Sequence, residues 1–538
     1  MSRTRRRMER VAVCVGLLAA PAAGWGAEGV GFEVLSPEQT GIRAIMQAWH
    51  DEELKRQGGK FRSHGWWPWG LTAFDFDNDG DLDLLPTHHG TPRGRLLKSL
   101  LKETGKLTFV NVTKDMGIDS RDLPIADGKP WVWDFDGDGW LDIAGFSDES
   151  KPRSLFNVGG KKFAVIAGFT FHPISHPGEL VDLNGDGWPD LTARRRGRSF
   201  QCLYDPKGRT FQKKTAEAKL PPEVPADVAE LFAEAKKLKK NRFLNVRCER
   251  RYDLNGDGRR DLIVSGIGAY GADTLARYCL ADAKGGCADK TAEIGLPPAG
   301  APSLVRDLNG DGAVDVVVAV GDRAGVYLND GKGRFTVRDG DLKKFLQTRD
   351  PYFLRTFPVD LDNDGDADLV VSSPRRGREE VHENLGAGRF RRVLRARGWD
   401  SDPIAICDIN DDGLMDVVIG GGAKAHKTAI NVYLNRTPSP GNFCRICPRM
   451  ESPNPYAVGA LVEAFQAGQM GRKDAVPLLV EKAHPDATPV HLGLGKAKAF
   501  DLRVTFPGKP PKVVERKAVQ ACRRLTVTPD GKPAASKP

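Results

Sequence analysis

Seven times along this chain a nine-residue stretch of the form D-x-[DN]-x-D-G-x-x-D recurs, beginning at Asp75, Asp134, Asp182, Asp253, Asp307, Asp360 and Asp408. Carboxylates this close repel one another, and the chemistry that relieves them is coordination of a hard cation by oxygen. Side-chain oxygens at positions 1, 3 and 5 converge on one ion, a backbone carbonyl at position 7 adds a ligand, and the Asp at position 9 closes the shell. Gly at position 6 permits the sharp turn. The predicted ligand sets, in chain order, start with Asp75, Asp77, Asp79, Asp81 and Asp83, then Asp134, Asp136, Asp138, Trp140 and Asp142, then Asp182, Asn184, Asp186, Trp188 and Asp190. They continue with Asp253, Asn255, Asp257, Arg259 and Asp261, then Asp307, Asn309, Asp311, Ala313 and Asp315. The last two are Asp360, Asp362, Asp364, Asp366 and Asp368, and Asp408, Asn410, Asp412, Leu414 and Asp416. The expected ion is calcium, up to seven of them, in a structural role. Loops with Asp at position 3, those from Asp75, Asp134 and Asp360, are expected to bind more tightly than the loop from Asp253, which has Asn255 and carries Arg259 and Arg260.

These are not EF-hands, which need a bidentate Glu at position 12 and a helix on each side. Position 12 of the first copy is Pro86, and the flanks are strand-like runs such as Val316-Val317-Val318. Each repeat carries four strand signals. Two flank the aspartates, one is an alternating segment such as Val326-Tyr-Leu-Asn329, and one contains Phe, as at Phe109, Phe163, Phe211, Phe335 and Phe390. Four short antiparallel strands recurring at 48 to 71 residues predict β-propeller blades. The last repeat has no Phe strand before Pro438-Ser-Pro440, and an orphan one, Phe32 to Leu35, stands at the N-terminus. The predicted fold is therefore all-β: a seven-bladed propeller over 28–440 closed by the N-terminal strand, plus a small C-terminal β domain. An open solenoid is the alternative, and it leaves the orphan strand and the gap unexplained.

Two features interrupt the repeat. Residues 221–241 contain an amphipathic basic helical pattern starting at Asp227. In the fourth repeat Cys279 and Cys287 replace Tyr327 and Phe335 of the fifth across one hairpin, and a disulfide is expected there. Cys444 and Cys447 form a CxxC within a predicted linker, 441–454; Pro448 follows rather than His, and a local disulfide is the expected reading.

The N-terminus is basic and then apolar from Val11 to Ala23, too short to span a bilayer, so 1–27 reads as a signal peptide. No other run is long enough for a membrane helix. The expected address is secreted, periplasmic or cell-surface, where the eight cysteines left after Cys14 departs meet oxidising conditions. Short alternating strands fill 455–528, and the polar tail 529–538 reads as disordered.

The repeats resemble the FG-GAP/VCBS calcium repeats of integrin-type propellers. The stretch with Asn454, Ala457-Val-Gly-Ala460, Leu492-Gly-Leu-Gly495 and Phe506-Pro-Gly508 resembles the ASPIC/UnbV module; Phe506 stands where that module usually has Trp. The resemblance implies calcium at the seven loops, an adhesion or ligand-binding role, and no established catalytic residue.

The net charge is +9 although 27 of the 71 acidic residues sit in the nonapeptides, so the remaining surface is strongly basic. On the face opposite the aspartate loops a propeller would gather His88, His89, Arg194, Arg195, Arg196, Arg375 and Arg376, together with Arg95, His172 and His176. Such a face suits an anionic polysaccharide or envelope component, or a protein ligand. Nucleic acid is not expected, since no reading motif is present. The rival reading is a polysaccharide lyase or hydrolase using His88, His89, His172, His176 and Arg194 on that same face.

Overall fold

The computed structural model describes residues 29–531 apart from 57, 59–67, 89–93, 120–122, 124–129, 145–152, 168–175, 196–197, 214–223, 232–244, 268–273, 320–322, 339, 348–353, 374–377, 397–403, 421–429, 473–476, 484–487 and 509. The expected signal (1–27) and most of the expected tail (532–538) lie outside the described residues.

Each nonapeptide folds as the turn between two antiparallel strands. Its backbone needs two left-handed residues, at positions 4 and 6. Position 6 is always Gly, from Gly258 at φ 83° to Gly365 at φ 97°, and position 4 is Gly, Asn or Asp, as in Asn78 at φ 56° and Asp411 at φ 59°. Those are the residues that enter this region at least cost. The strands so joined pair further into seven four-stranded antiparallel sheets. In the first sheet they are Pro68–Phe74, Asp83–His88, Leu97–Ser99 and Phe109–Asn111, in sequence order. The next five repeat that order. The seventh joins Ile404–Cys407, Asp416–Gly420 and Ile430–Asn435 to the N-terminal strand Phe32–Leu35, with Phe32 opposite Asn435 and Leu35 opposite Val432.

The strand after the loop is apolar on both sides in the fifth and seventh sheets, where Asp315–Ala319 and Asp416–Gly420 are buried at every position. Only a sheet covered on both faces buries a strand in this way. Shared cores show the stacking: Val317 packs with Leu369 between the fifth and sixth sheets, and Val370 with Val417 between the sixth and seventh. Leu71, Leu84 and Phe109 of the first sheet share a core with Val418 and Val432 of the seventh. The Phe109 N–H donates to Thr40 O just past the N-terminal strand, which ties the first sheet to the seventh.

A second device fastens neighbours. The Asn ending the third strand donates its amide to the carbonyl at loop position 2 of the preceding sheet. Asn157 reaches Phe76 O at 2.7 Å, Asn329 reaches Leu254 O at 2.9 Å, Asn384 reaches Leu308 O at 2.7 Å and Asn435 reaches Leu361 O at 2.6 Å. Tyr204 does the same with its hydroxyl to Phe135 O at 2.9 Å.

Three sequence expectations are corrected. No disulfide joins Cys279 to Cys287: the register sets Cys279 opposite Asp289 and Cys287 opposite Ala281. That diagonal lies beyond disulfide reach, and the two side chains instead pack in one apolar cluster with Val228 and Leu262. Cys444 and Cys447 are not joined either. They lie three apart on the strand Asn442–Pro448, so they point to opposite faces, and the expected linker is the middle strand of a three-stranded sheet between Val490–Gly495 and Cys522–Val527. This sheet and a four-stranded one built on Leu461–Gln466 and Ala499–Phe506 enclose their own core of Val462, Phe500, Leu502 and Phe506. Of the expected helix over 221–241, residues 226–231 are helical, and most of the remainder lies outside the described residues.

If the amide clips fasten the sheets, Asn384→Ala should lower the unfolding free energy by about 1–3 kcal/mol, because it strands the buried carbonyls of Leu308 and Ala367. Denaturant titration measures it. A loss below about 0.5 kcal/mol, the range of surface changes, would contradict the assignment.

Candidate metal centres and the docked C-terminal module

Within each loop the Asp at position 1 accepts the backbone N–H groups that curl around it. Asp134 Oδ1 takes Gly137 N–H at 2.7 Å and Asp138 N–H at 3.1 Å, and its Oδ2 takes Gly139 N–H at 2.7 Å. The Asp at position 5 accepts the N–H of position 7, as Asp79 does from Asp81 and Asp364 from Asp366, both at 2.9 Å. The Asp at position 9 does more than close a shell. One oxygen accepts the N–H of position 2 and the other that of the third strand, as with Asp368 from Leu361 at 2.8 Å and from Asn384 at 2.6 Å. Asp83, Asp142, Asp190, Asp261, Asp315 and Asp416 make the same pair of bonds. Position 9 is thus a staple across three strands as well as a potential ligand.

Carboxylates converge in three of the loops. The ligand atoms of Asp75, Asp77 and Asp83, of Asp134, Asp136 and Asp142, and of Asp360, Asp362 and Asp368 each lie within 4.8 Å of one another, and each cluster could hold a metal ion. These are the loops with Asp at position 3. In the other four, Asn184, Asn255, Asn309 and Asn410 turn their amide groups to the position-5 carboxylate at 2.8–2.9 Å, so positions 3 and 5 satisfy each other. The three clusters fit a hard cation on a further ground: Asp77 Oδ1, Asp136 Oδ1 and Asp360 Oδ1 are buried with no hydrogen-bond partner. An uncompensated buried oxygen is costly, and a cation compensates it.

Electrostatics agree. Burial, reinforced by neighbouring carboxylates, lifts Asp75 and Asp134 to about 7 and Asp366 to about 8, and holds Asp360 and Asp368 well above the usual range.

Basic side chains answer the acid in other loops. Lys98 bonds Asp77 and lies 2.6 Å from Asp79 Oδ2, so the first loop already holds one ammonium. Arg259 pairs with Asp257 in the fourth. In the seventh, Arg445 of the C-terminal module sets Nη1 2.9 Å from Asp408 Oδ2 and Nη2 2.6 Å from Asp411 Oδ1, while Arg436 pairs with Asp412 at 3.0 Å. A guanidinium thus stands against the first ligand of that loop.

Arg445 belongs to a broader docking of the module onto the loop side of the sheets. Gly441 N–H donates to Asp362 O at 2.8 Å and Gly495 N–H to Asn363 O at 2.7 Å, and His491 Nε2 lies 2.6 Å from Asn363 Oδ1. Tyr456 OH donates to Gly139 O at 3.0 Å. The glycines of Leu492-Gly-Leu-Gly495 make the approach possible: a Cβ on Gly493 would fall 1.7 Å from Asp360 Oδ2. Sequence reasoning missed Arg445, His491, Tyr456 and Lys98, because nothing in a loop motif reveals what another domain lays on it.

The opposite face is only partly visible. His89, Arg196, Arg375, Arg376 and His172 lie outside the described residues, as do the side chains of His88, Arg194 and Arg195. The backbones of those last three, and of His176, lie at strand ends away from the aspartate loops. Arg95, expected on that face, is buried against Glu52 at 3.0 Å with the Trp49 ring beneath it, so it serves packing.

Comparison with known proteins gives one family. Residues 134–193, 307–371 and 360–419 match the FG-GAP-like repeat. No curated protein matches the chain. Among solved structures, the chain is similar to an Agrocybe aegerita lectin that recognises non-reducing terminal N-acetylglucosamine (20% identity, 71% of this chain and 88% of that one, TM-score 0.37). It is also similar to the V. cholerae biofilm matrix protein Bap1 (14%, 74% and 68%, TM-score 0.25) and to the exotype rhamnogalacturonan lyase YesX (14%, 86% and 73%, TM-score 0.27). With TM-scores this low, none of the three bears on function.

The raised carboxylates fix a pH signature. A folded-state pKa above the unfolded one gives stability that is complete at low pH and lost as pH rises through the folded value, here about 7 for Asp75 and Asp134 and about 8 for Asp366. In EDTA the melting temperature should therefore fall between about pH 5 and pH 8, and millimolar calcium should restore it most at the upper end. A metal-free melting temperature that is flat or rising over that window would contradict the reading.

Proposed function

We propose that this chain is an exported, calcium-stabilised, seven-bladed β-propeller carrying an ASPIC/UnbV-like module, and that it acts as a non-catalytic binding protein for an anionic glycan. The observation that carries the reading is the convergence of three carboxylates at each of three equivalent loops, with one buried, partnerless oxygen in each cluster. Seven sheets whose last contains the N-terminal strand and packs on the first support the ring. Calcium there pins the first hairpin of its blade and neutralises a cluster that would otherwise push the chain apart. The basic balance of the remaining sequence supports an anionic partner, and the arginines at 194, 195, 375 and 376 are its candidate contacts.

Two measurements test this reading. Changing Arg194, Arg195, Arg375 and Arg376 to Glu should abolish salt-sensitive retention on a polyuronate column, and unaltered retention would remove those residues from the ligand face. A turnover screen on acidic polysaccharides, run beside a glycan array, should return binding without cleavage; cleavage lost on changing His88 or His89 would establish the lyase or hydrolase reading instead.

A further inference from the structure

The C-terminal module lies across the aspartate loops rather than on one of them. Tyr456 OH donates to Gly139 O in the second loop and stands 3.4 Å from Asn78 Oδ1 in the first. Ser452 lies against Gly137 of the second loop and Pro453 against Gly187 of the third. Arg445 holds Asp408 and Asp411 of the seventh, and Arg306, the residue before the fifth loop, pairs with Glu481 of the module at 2.6 Å.

The seat is closest at the sixth loop. There the Gly441 N–H donates to Asp362 O at 2.8 Å and the Gly495 N–H to Asn363 O at 2.7 Å. His491 Nε2 lies 2.6 Å from Asn363 Oδ1, the Phe443 ring stacks on the imidazole at 5.5 Å, and Asn363 is left 1% exposed. A side chain on Gly493 would strike the Asp360 carboxylate, and one on Gly441 the Asn363 carbonyl. Asp360 and Asp362 are two of the three carboxylates that converge in this loop, and Asp360 Oδ1 has no hydrogen-bond partner. Module main chain therefore covers the cluster too closely to admit a Cβ.

Both module amides grip loop positions 3 and 4, and position 3 is itself a ligand residue. A cation shared by Asp360, Asp362 and Asp368 holds that residue in place. Without it, ionised carboxylates push apart and turn the two carbonyls away from their donors. The same seat shields the cluster from water, so an ion held there leaves only once the module lifts. The seventh loop differs, because Arg445 brings its own charge to Asp408 and asks for no metal.

We propose that the module is a lid on the sixth loop, seated by the cation bound there and in turn retaining it. The proposal rests on the calcium reading of that loop and adds its regulation. Removing the ion unseats the module, and lifting the module frees the ion, by one and the same factor.

Hydrogen exchange read by mass spectrometry on the full chain, in calcium and in EDTA below the metal-free melting temperature, tests it. Exchange at the Gly441 and Gly495 amides should rise about tenfold in EDTA, while the pairing of Leu461–Gln466 with Ala499–Phe506 inside the module keeps its protection. Stopped-flow release of calcium into a chelator should show one slow ion, and Gly493→Ala should speed that ion about tenfold. His491→Ala, which adds no clash, is the second variant and should speed the same ion. Amides indifferent to EDTA in a chain that binds calcium, or release with no slow ion that either variant speeds, would overturn the lid and leave the calcium reading standing. Protection lost equally inside the module would overturn it too, because the module would then be unfolding rather than lifting. A chain that binds no calcium would remove the lid and the calcium reading together.

Discussion

Mutual repulsion among aspartates crowded at the end of each sheet is the constraint from which the remaining architecture follows. Five carboxylates fall within nine residues from Asp360 to Asp368, and burial together with their neighbours' charge raises Asp360, Asp362, Asp366 and Asp368 above the usual carboxylate range. The chain meets this in three ways. Backbone N–H groups converge on positions 1 and 9, basic side chains such as Lys98 and Arg445 are brought in, and three clusters remain that could hold a cation. The first solution builds the hairpin, and the second fastens other parts of the chain to it.

The same aspartates also organise the longer-range structure. The position-9 carboxylate fixes the N–H of the third strand, and in four sheets the residue there is an Asn whose side chain grips the previous sheet. A bond inside one sheet therefore sets the geometry of the contact with the next. In the fourth sheet this position is Ala281, which can give its N–H to Asp261 but has no amide to offer. The helical segment 226–231 packs beside that sheet through Val228, supplying apolar contact instead. The first sheet has Ser99 at this position, and there the shared core around Phe109 and Val432 joins it to the seventh.

Much of this was legible in the residues. The strand pattern, the exchange of the N-terminal strand into the last sheet and the turn chemistry all follow from local periodicity and spacing, which physics reads within a few residues. The residue at position 3 also separates the loops in which carboxylates converge from those in which they do not, because Asp brings two acceptor oxygens while Asn brings a donor that pairs with its neighbour. What was not legible required knowing which distant parts meet. Cys279 and Cys287 face each other by repeat alignment but lie on a diagonal by register, and Cys444 and Cys447 sit on the strand Asn442–Pro448 rather than in a linker. Arg445 could not be assigned to Asp408 and Asp411, because no local rule connects a strand of the C-terminal module to a loop in the seventh repeat. Arg95 read as a ligand contact because its turn is basic, whereas Glu52 and Trp49 claim it.

The most direct measurement is a crystal structure of the full chain grown with a lanthanide or calcium, with anomalous difference density used to locate the ions. The account predicts peaks in the loops beginning at Asp75, Asp134 and Asp360, with Arg445 rather than an ion against Asp408. Density absent from all three, or strongest in the loops with Asn at position 3, would contradict it.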